Sequence, residues 1–284
     1  MSKRDLSPER EIGKNEEMVN DFFKRDKENT QPAFYDAYNY DSFWKGRDFE
    51  NFADQIAVSR LLTRIPLPRL RIIDVGAGGG RLAPLYEKIW EQVVLLDPSC
   101  DQLSIAKNKI SRAEKIEFVC AAVDSIPLSD ASCDAALCVR VFHYITDPRK
   151  AIREIGRILI PEGYLILEIP NKIHIKTRLQ AFYSSKARVI ISSRKPKHLM
   201  LGDASAPFVN YHPEVIRDIL ITEGFDIVEI LSVSNFRHRI FKKIIPIQIL
   251  LFLEKSFQGL LAGMWFGPSI YFLARNNKNI KTKS

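Results

Sequence analysis

The stretch IIDVGAGGGRLAPL, Ile72 to Leu85, sets four glycines within five positions directly behind a β-branched apolar run. Glycine at a strand-to-helix turn admits positive φ and lets a ligand approach the backbone with no Cβ in the way. Asp74, two residues before Gly76, puts a carboxylate at the end of the preceding strand, where it repels a phosphate and attracts an ammonium. Gly76 and Gly78 fit the start of the dinucleotide pattern G-x-G-x-x-G, but Arg81 stands where the third glycine belongs, which disfavours NAD. Nineteen residues beyond Gly78, Asp97 closes a second apolar run and has the acceptor capacity for both hydroxyls of a ribose. Taken alone, Asp97 serves equally well as a turn or helix N-cap residue in Asp-Pro-Ser. An acid for an ammonium, glycines for a flexible chain and a second acid for a ribose together fit S-adenosylmethionine.

The elements that must hold these residues alternate between strand and helix, the pattern of a parallel sheet covered on both faces. Leu70–Val75 reads as a first strand, Arg81–Trp90 as its helix and Val93–Leu96 as a second strand. A helix over Asp101–Ile110 leads to a third strand at Ile116–Cys120, and Asp134–Val139 reads as the fourth. A helix over Asp147–Leu159 is expected to stop at Pro161-Glu162-Gly163, ahead of a fifth strand at Tyr164–Ile169. The pattern loosens after Pro170, then resumes with a helix at Pro213–Thr222, a strand at Phe225–Leu231 and a closing strand at Gly267–Arg275. At 284 residues, one α/β domain with insertions is the economical expectation.

DVGAGGG, Asp74 to Gly80, resembles the D-x-G-x-G-x-G signature of class I S-adenosylmethionine-dependent methyltransferases, and LLDPS, Leu95 to Ser99, resembles their acidic second motif. AAVDSIPLSDASCDAALCVRVFHYI, Ala121 to Ile145, is similar to the stretch after the third strand in the quinone-biosynthesis-like (type 11) subgroup. The likeness covers roughly 70–169 and continues more loosely through 211–230. It implies a doubly wound, mostly parallel seven-stranded Rossmann-like sheet with insertions, and S-adenosyl-L-methionine as cofactor. It further implies that Asp74, Gly76, Ala77, Gly78 and Gly80 line the methionine portion and Asp97 the ribose. Ala122 with Val123 would meet the adenine edge, and Arg140 to Phe142 would floor the pocket. Many relatives carry an Asp at the place of Ala122, so adenine is expected to rely on backbone groups around Val123. The aromatic segment AFYDAYNYDSFW, ending at Trp44, lies where similar enzymes carry a cofactor lid; packing against the core is the plain alternative.

Methyl transfer from a sulfonium needs alignment and exclusion of water more than covalent help, and a base only if the acceptor loses a proton. His143, at the mouth of the expected sheet, is the candidate base, with Tyr144 and His212 behind it; a packed loop histidine is the alternative. Arg81 is a candidate for the methionine carboxylate or a solvated helix arginine. Cys100, Cys120, Cys133 and Cys138 have neither C-x-x-C spacing nor a histidine pair, which argues against metal ligation or a disulfide framework and for a reduced, cytoplasmic setting. The first residues hold no apolar run of signal-peptide length, and Ile244–Leu253 is about half the roughly 20 residues that span a bilayer.

Eight Lys or Arg and no acidic residue fall between Lys172 and Gly202, so this one segment accounts for the chain's net charge of +8. The expected organisation is therefore an N-terminal extension and lid over 1–47, a cofactor-binding core over 48–171 and a basic insertion over 172–211. The rest of the fold follows over 212–275 with an apolar excursion at 232–266, and a tail over 276–284. The acceptor expected is a small or lipid-like molecule, with peripheral contact to an anionic membrane through the basic and apolar segments. Nucleic acid is disfavoured because no separate RNA-binding module is present. The alternatives are an RNA methyltransferase that clamps phosphates with the basic segment, and a cofactor-binding protein that does not catalyse.

Overall fold

The computed structural model describes residues 44–110, 115–200 and 207–277. The chain runs α1 (Asp48–Arg64), β1 (Arg71–Val75), β2 (Gln92–Asp97), α2 (Cys100–Lys109), β3 (Ile116–Cys120), β4 (Cys133–Cys138), α3 (Pro148–Ile158) and β5 (Leu159–Pro170). It continues through α4 (Ile175–Ala181), α5 (Ser185–Ser192), β6 (Lys197–Met200), β7 (Pro207–Asn210), α6 (Pro213–Thr222), β8 (Phe225–Val233), α7 (Arg239–Ile244), α8 (Ile247–Phe257) and β9 (Ser269–Asn276). Seven strands form one sheet in the order β3-β2-β1-β4-β5-β9-β8, and β6 and β7 form a separate two-stranded sheet. β1 to β5 pair in parallel, while β9 is antiparallel to both β5 and β8. This is the doubly wound architecture expected. Strand order reverses between β1 and β4, and the crevice beyond their carboxyl ends is where open α/β sheets take ligands.

Period-two alternation sorts the core onto the two faces of the sheet. Ile73, Val75, Leu96, Ala136 and Leu167 pack under α3 and α6, and Ile72, Leu95, Leu137, Ile166 and Tyr271 pack under α1. Fully burying an Ile or Leu contributes about 1.5–3 kcal/mol, which is why VVLL at 93–96 is apolar at every position of a strand covered on both sides. The caps follow from sequence. Ser99 accepts from the Gln102 amide to start α2, and Asp147 accepts from the Lys150 amide at 3.0 Å, with Pro148 at the first helical position of α3.

Three expectations are corrected. The segment Arg81–Trp90 is not an α-helix: it is a 3₁₀ turn at Ala83–Leu85 flanked by turns, with amides closing onto carbonyls three residues back, as Ala83 does onto Gly80. Its helical period was legible because Leu82, Tyr86 and Trp90 still bury on one side. Pro161-Glu162-Gly163 does not separate helix from strand. β5 begins at Leu159, the turn residues form an irregularity against β4, and a Cβ on Gly163 would come within 2.8 Å of the Ile160 carbonyl.

The third correction concerns Cys100 and Cys120, which are joined by a disulfide with a Cα–Cα distance of 5.4 Å. β2 and β3 pair with Asp97 opposite Cys120, and Cys100 opens α2 three residues later, so sheet register brings together thiols 20 residues apart. The cysteines therefore do not indicate a reducing compartment. Cys133 and Cys138 are free and buried.

The residues 172–211 leave the sheet after β5 and carry α4, α5 and the β6–β7 pair, while 234–268 carry α7 and α8. Residues 1–43 of the expected extension, which include the aromatic run up to Phe43, lie outside the described residues, as does the tail from 278. Among the described residues no helix is long and apolar enough to cross a membrane.

Candidate functional site

The glycine loop leaves β1 at the point where strand order reverses. The Gly76 and Ala77 amides both donate to the Leu96 carbonyl, at 2.7 and 3.0 Å, which lays the loop across the end of β2. Gly76 has φ +75°, and a Cβ there would collide with Val141 just after β4, so only glycine lets the two strand ends close up. Gly78, at φ +51°, has nothing within 4 Å of its missing Cβ, so this stretch of backbone is open to an incoming ligand. Gly80 closes against Ala106 of α2.

Asp97, at the carboxyl end of β2, accepts from the Gly78 amide at 2.8 Å with one oxygen and from the Ser99 amide at 2.9 Å with the other. It is at once a turn residue and the acid beside the loop, while Ser99 is the N-cap of α2. Asp74 lies beneath the loop, buried, and accepts from the Tyr86 hydroxyl at 2.5 Å. Burial lifts its pKa to about 7, against the pull of the Tyr86 hydrogen bond and the Arg81 charge. Tyr86 was not singled out from sequence. It reads there as one more apolar contact at helical spacing, and its hydroxyl acquires meaning only once the 3₁₀ turn aims it at Asp74.

Beyond β3, the exposed Ala122 and buried Val123 follow Cys120 after Ala121, whose amide donates to the Asp97 carbonyl at 3.1 Å. The positions expected at adenine and ribose are therefore neighbours at one rim. The Cys100–Cys120 disulfide spans that rim.

Arg140 sits after β4 in the left-handed region, at φ +63°. Its guanidinium does not face an open pocket floor. It grips Asp54 of α1 with two hydrogen bonds of 3.0 and 2.8 Å, and its amide donates to Glu168 of β5 at 3.0 Å. Arg81 joins the same carboxylate at 3.2 Å, donates to Asn51 at 2.7 Å and lies 4.1 Å from the centre of the Trp44 ring, so protein groups hold its guanidinium half-buried. Tyr271 of β9 donates to the second Asp54 oxygen at 2.8 Å. Burial would raise the Asp54 pKa, but Arg140 and Arg81 overcome it and hold the carboxyl below its ordinary range. Burial raises Glu168, with Arg140 opposing. The network binds α1, the loop, the turn after β4, β5 and β9 behind the site. Asp54 was missed in the sequence; the available signal was a lone carboxylate on the apolar face that includes Ala53, Ala57, Val58 and Leu61.

His143 occupies a short 3₁₀ turn, Phe142–Tyr144, after β4. Its ring stacks on Phe208 of β7 with centroids 4.4 Å apart and lies 3.9 Å from Tyr144. Burial, and then Arg140, push its pKa down to about 3. An imidazole that weakly basic is neutral near pH 7, and its stacking on Phe208 is the arrangement expected of a packed loop histidine. His212 is also accounted for: its ring accepts from the Glu214 amide and caps α6. Among the described residues no cluster of three or more His, Cys, Asp or Glu is arranged to hold a metal.

Residues 73–167 match a family model described as a methyltransferase domain, Methyltransf_11. The chain is similar to a malonyl-[acyl-carrier protein] O-methyltransferase of Marinomonas sp., 28% identical over 125 residues that make up 42% of this chain and 46% of the relative. It is similar to a ubiquinone biosynthesis O-methyltransferase of Xanthomonas campestris pv. campestris, 25% identical over 119 residues, 41% of this chain and 50% of the relative. The chain thus spans about half the length of the curated relatives it matches. In fold it resembles a solved S-adenosylmethionine-dependent methyltransferase of Thermotoga maritima, with a TM-score of 0.55 and 20% identity over 87% of this chain and 99% of that one.

Proposed function

We propose, on the premise that residues 73–167 are a class I S-adenosylmethionine-dependent methyltransferase domain of the type 11 family, that the chain moves a methyl group from S-adenosyl-L-methionine to a small or lipophilic acceptor. One observation carries the cofactor assignment: Asp97 and the open backbone of Gly78 meet at the switch point, with a second acid, Asp74, beneath them. The residues fit the cofactor. Asp74 would offer a carboxylate to the methionine ammonium, Ala77 and Gly78 bare backbone to its chain, Asp97 an acceptor to the ribose, and Ala122 and Val123 would border the adenine.

When bound, the cofactor supplies an activated methyl group on a sulfonium that leaves as a neutral thioether. The protein's task is then to align an acceptor and keep water out. Val141 closes on Gly76 from the β4 side, and the stacked His143–Phe208 pair holds the β6–β7 pair against the turn after β4. His143 orients by packing or by accepting a hydrogen bond, and no proton needs to reside on it. An apolar acceptor suits a rim lined this way, and one similar protein is named for ubiquinone biosynthesis.

The test is calorimetry with S-adenosylhomocysteine and NAD, followed by transfer of labelled methyl from S-adenosylmethionine into fractionated lipid, small-molecule and RNA pools. Binding of the homocysteine product and label in the lipid or small-molecule pool are expected. NAD binding without response to S-adenosylhomocysteine would overturn the cofactor assignment, and label confined to RNA would overturn the acceptor class.

A further inference from the structure

β5 and β8 run in the same direction and β9 runs against both, so the end of β5, the end of β8 and the start of β9 lie on one edge of the sheet. That edge is also where β1, β2 and β4 deliver the candidate site. Both excursions of the chain, 171–212 and 234–268, therefore rise from the catalytic rim. They are joined there: the Asn171 side-chain amide donates to the Trp265 and Gly267 carbonyls, each at 2.7 Å, and the Ile175 amide donates to the Phe266 carbonyl at 2.9 Å.

These excursions hold most of the large apolar side chains exposed among the described residues. Phe182 is 72% and Tyr183 94% exposed at the end of α4, Ile244 73% at the end of α7, Phe252 69% on α8, and Leu260 71% just after it. α8 is split by face: Leu250 and Glu254 point inward, while Ile249 and Phe252 point out. α7 has no buried residue at all. Isolated exposed apolar residues need no explanation, but a concentration of them on two linked lobes marks an interaction surface.

Charge selects the partner. Lys176, Arg239, Lys243 and Lys255 are exposed on the same helices. In the two excursions the only acid among the described residues is Glu254, which is fully buried and accepts from the Ser234 and Asn235 amides. Among the described residues, the charge these excursions show to solvent is thus all positive and lies among apolar side chains. Several positive charges of the expected basic segment turn elsewhere: Lys172 is buried and donates to the Ser193 and Lys195 carbonyls, and Arg194 pairs with Asp218. The charge that faces out is spread over α4, α7 and α8 and interleaved with rings and aliphatic chains. Phosphate recognition alone leaves those apolar side chains in water, whereas a bilayer takes both.

We propose that this rim docks on an anionic lipid bilayer, with Phe182, Tyr183, Ile244, Phe252 and Leu260 entering the headgroup and acyl boundary and the lysines and arginine lying among anionic headgroups. Docking would set the mouth of the site against the membrane, so that a lipophilic acceptor enters without crossing water. That last link rests on the methyl-transfer assignment; the docking does not.

The test is co-sedimentation of the full chain with vesicles of phosphatidylcholine alone and of phosphatidylcholine with phosphatidylglycerol, at low and high salt, with S-adenosylhomocysteine binding measured on the same preparations. The parent is expected to sediment with anionic vesicles and less so in high salt. Phe252→Glu and, on the other lobe, Phe182→Glu should each lower partitioning about tenfold, as loss of one buried ring requires. Replacing Lys176, Arg239, Lys243 and Lys255 with Gln should lower it on the order of a thousandfold on anionic vesicles. All these positions are exposed, so the variants should melt with the parent and keep their cofactor binding. A parent that ignores anionic vesicles, variants on both lobes that bind as the parent does, or retention by single-stranded RNA and not by vesicles would overturn the proposal. A parent that docks but does not bind S-adenosylhomocysteine would leave the docking standing and remove the methyl-transfer assignment.

Discussion

The Tyr86 hydroxyl donates to the Asp74 carboxylate at 2.5 Å, with both side chains buried beneath the glycine loop. Burial raises Asp74 to about 7 and the Tyr86 donor opposes that rise. Below that pH the free protein holds a proton that an ammonium partner must displace. Affinity for S-adenosylhomocysteine should accordingly fall between about pH 8 and pH 6, with protons released on binding. Tyr86→Phe removes the opposing donor, so its affinity should begin to fall at higher pH. Calorimetry in buffers of different ionisation enthalpy reads both effects, and pH-independent binding with no proton release would show that Asp74 does not meet the ammonium.

Asp97 holds the Gly78 amide and stands ready for the ribose, so Asp97→Ala should weaken S-adenosylhomocysteine binding by about 1–3 kcal/mol. The loss should appear in calorimetry with the fold intact by circular dichroism. Parent-like affinity would remove Asp97 from the site.

Asp54 is fully buried and is the shared partner of Arg81, Arg140 and Tyr271. Removing one member of a buried ionic set leaves the other charges unpaired, which costs about 3–5 kcal/mol. Asp54→Asn should lose about that much in a denaturant titration. A change below about 1 kcal/mol would mean that water or Glu168 takes over both guanidinium groups.

His143 should show no protonation in an NMR titration above about pH 4, because burial and Arg140 hold its pKa near 3. A ring that titrates near pH 6 would restore it as a candidate base.

The Cys100–Cys120 bond closes a separation of 20 residues, so Cys120→Ser should lower stability by about 2–4 kcal/mol. Thiol counting adds a second check: the unfolded, unreduced protein should present two thiols, from Cys133 and Cys138, and the reduced protein four. Four thiols without reductant would show the pair to be open.

Much of the frame was readable in the chain. Strands buried on both faces must be apolar throughout, so VVLL and the β-branched run before Asp74 declared themselves, and Gly76, whose Cβ would collide with Val141, could be nothing else. Asp74, Gly78 and Asp97 were legible because strand ends at a switch point repeat one local grammar of acid, bare backbone and acid. These are local constraints, and local sequence expresses them. What only the tertiary structure decided lies between elements distant in the chain. Arg140 could not be assigned to Asp54, 86 residues away, from either neighbourhood. Cys120 could not be matched to Cys100 before the β2–β3 register was known, and nothing near His143 announced that Phe208 stacks on its ring. Pairing of charges, thiols and rings depends on distance through space, which a sequence encodes only through the whole fold.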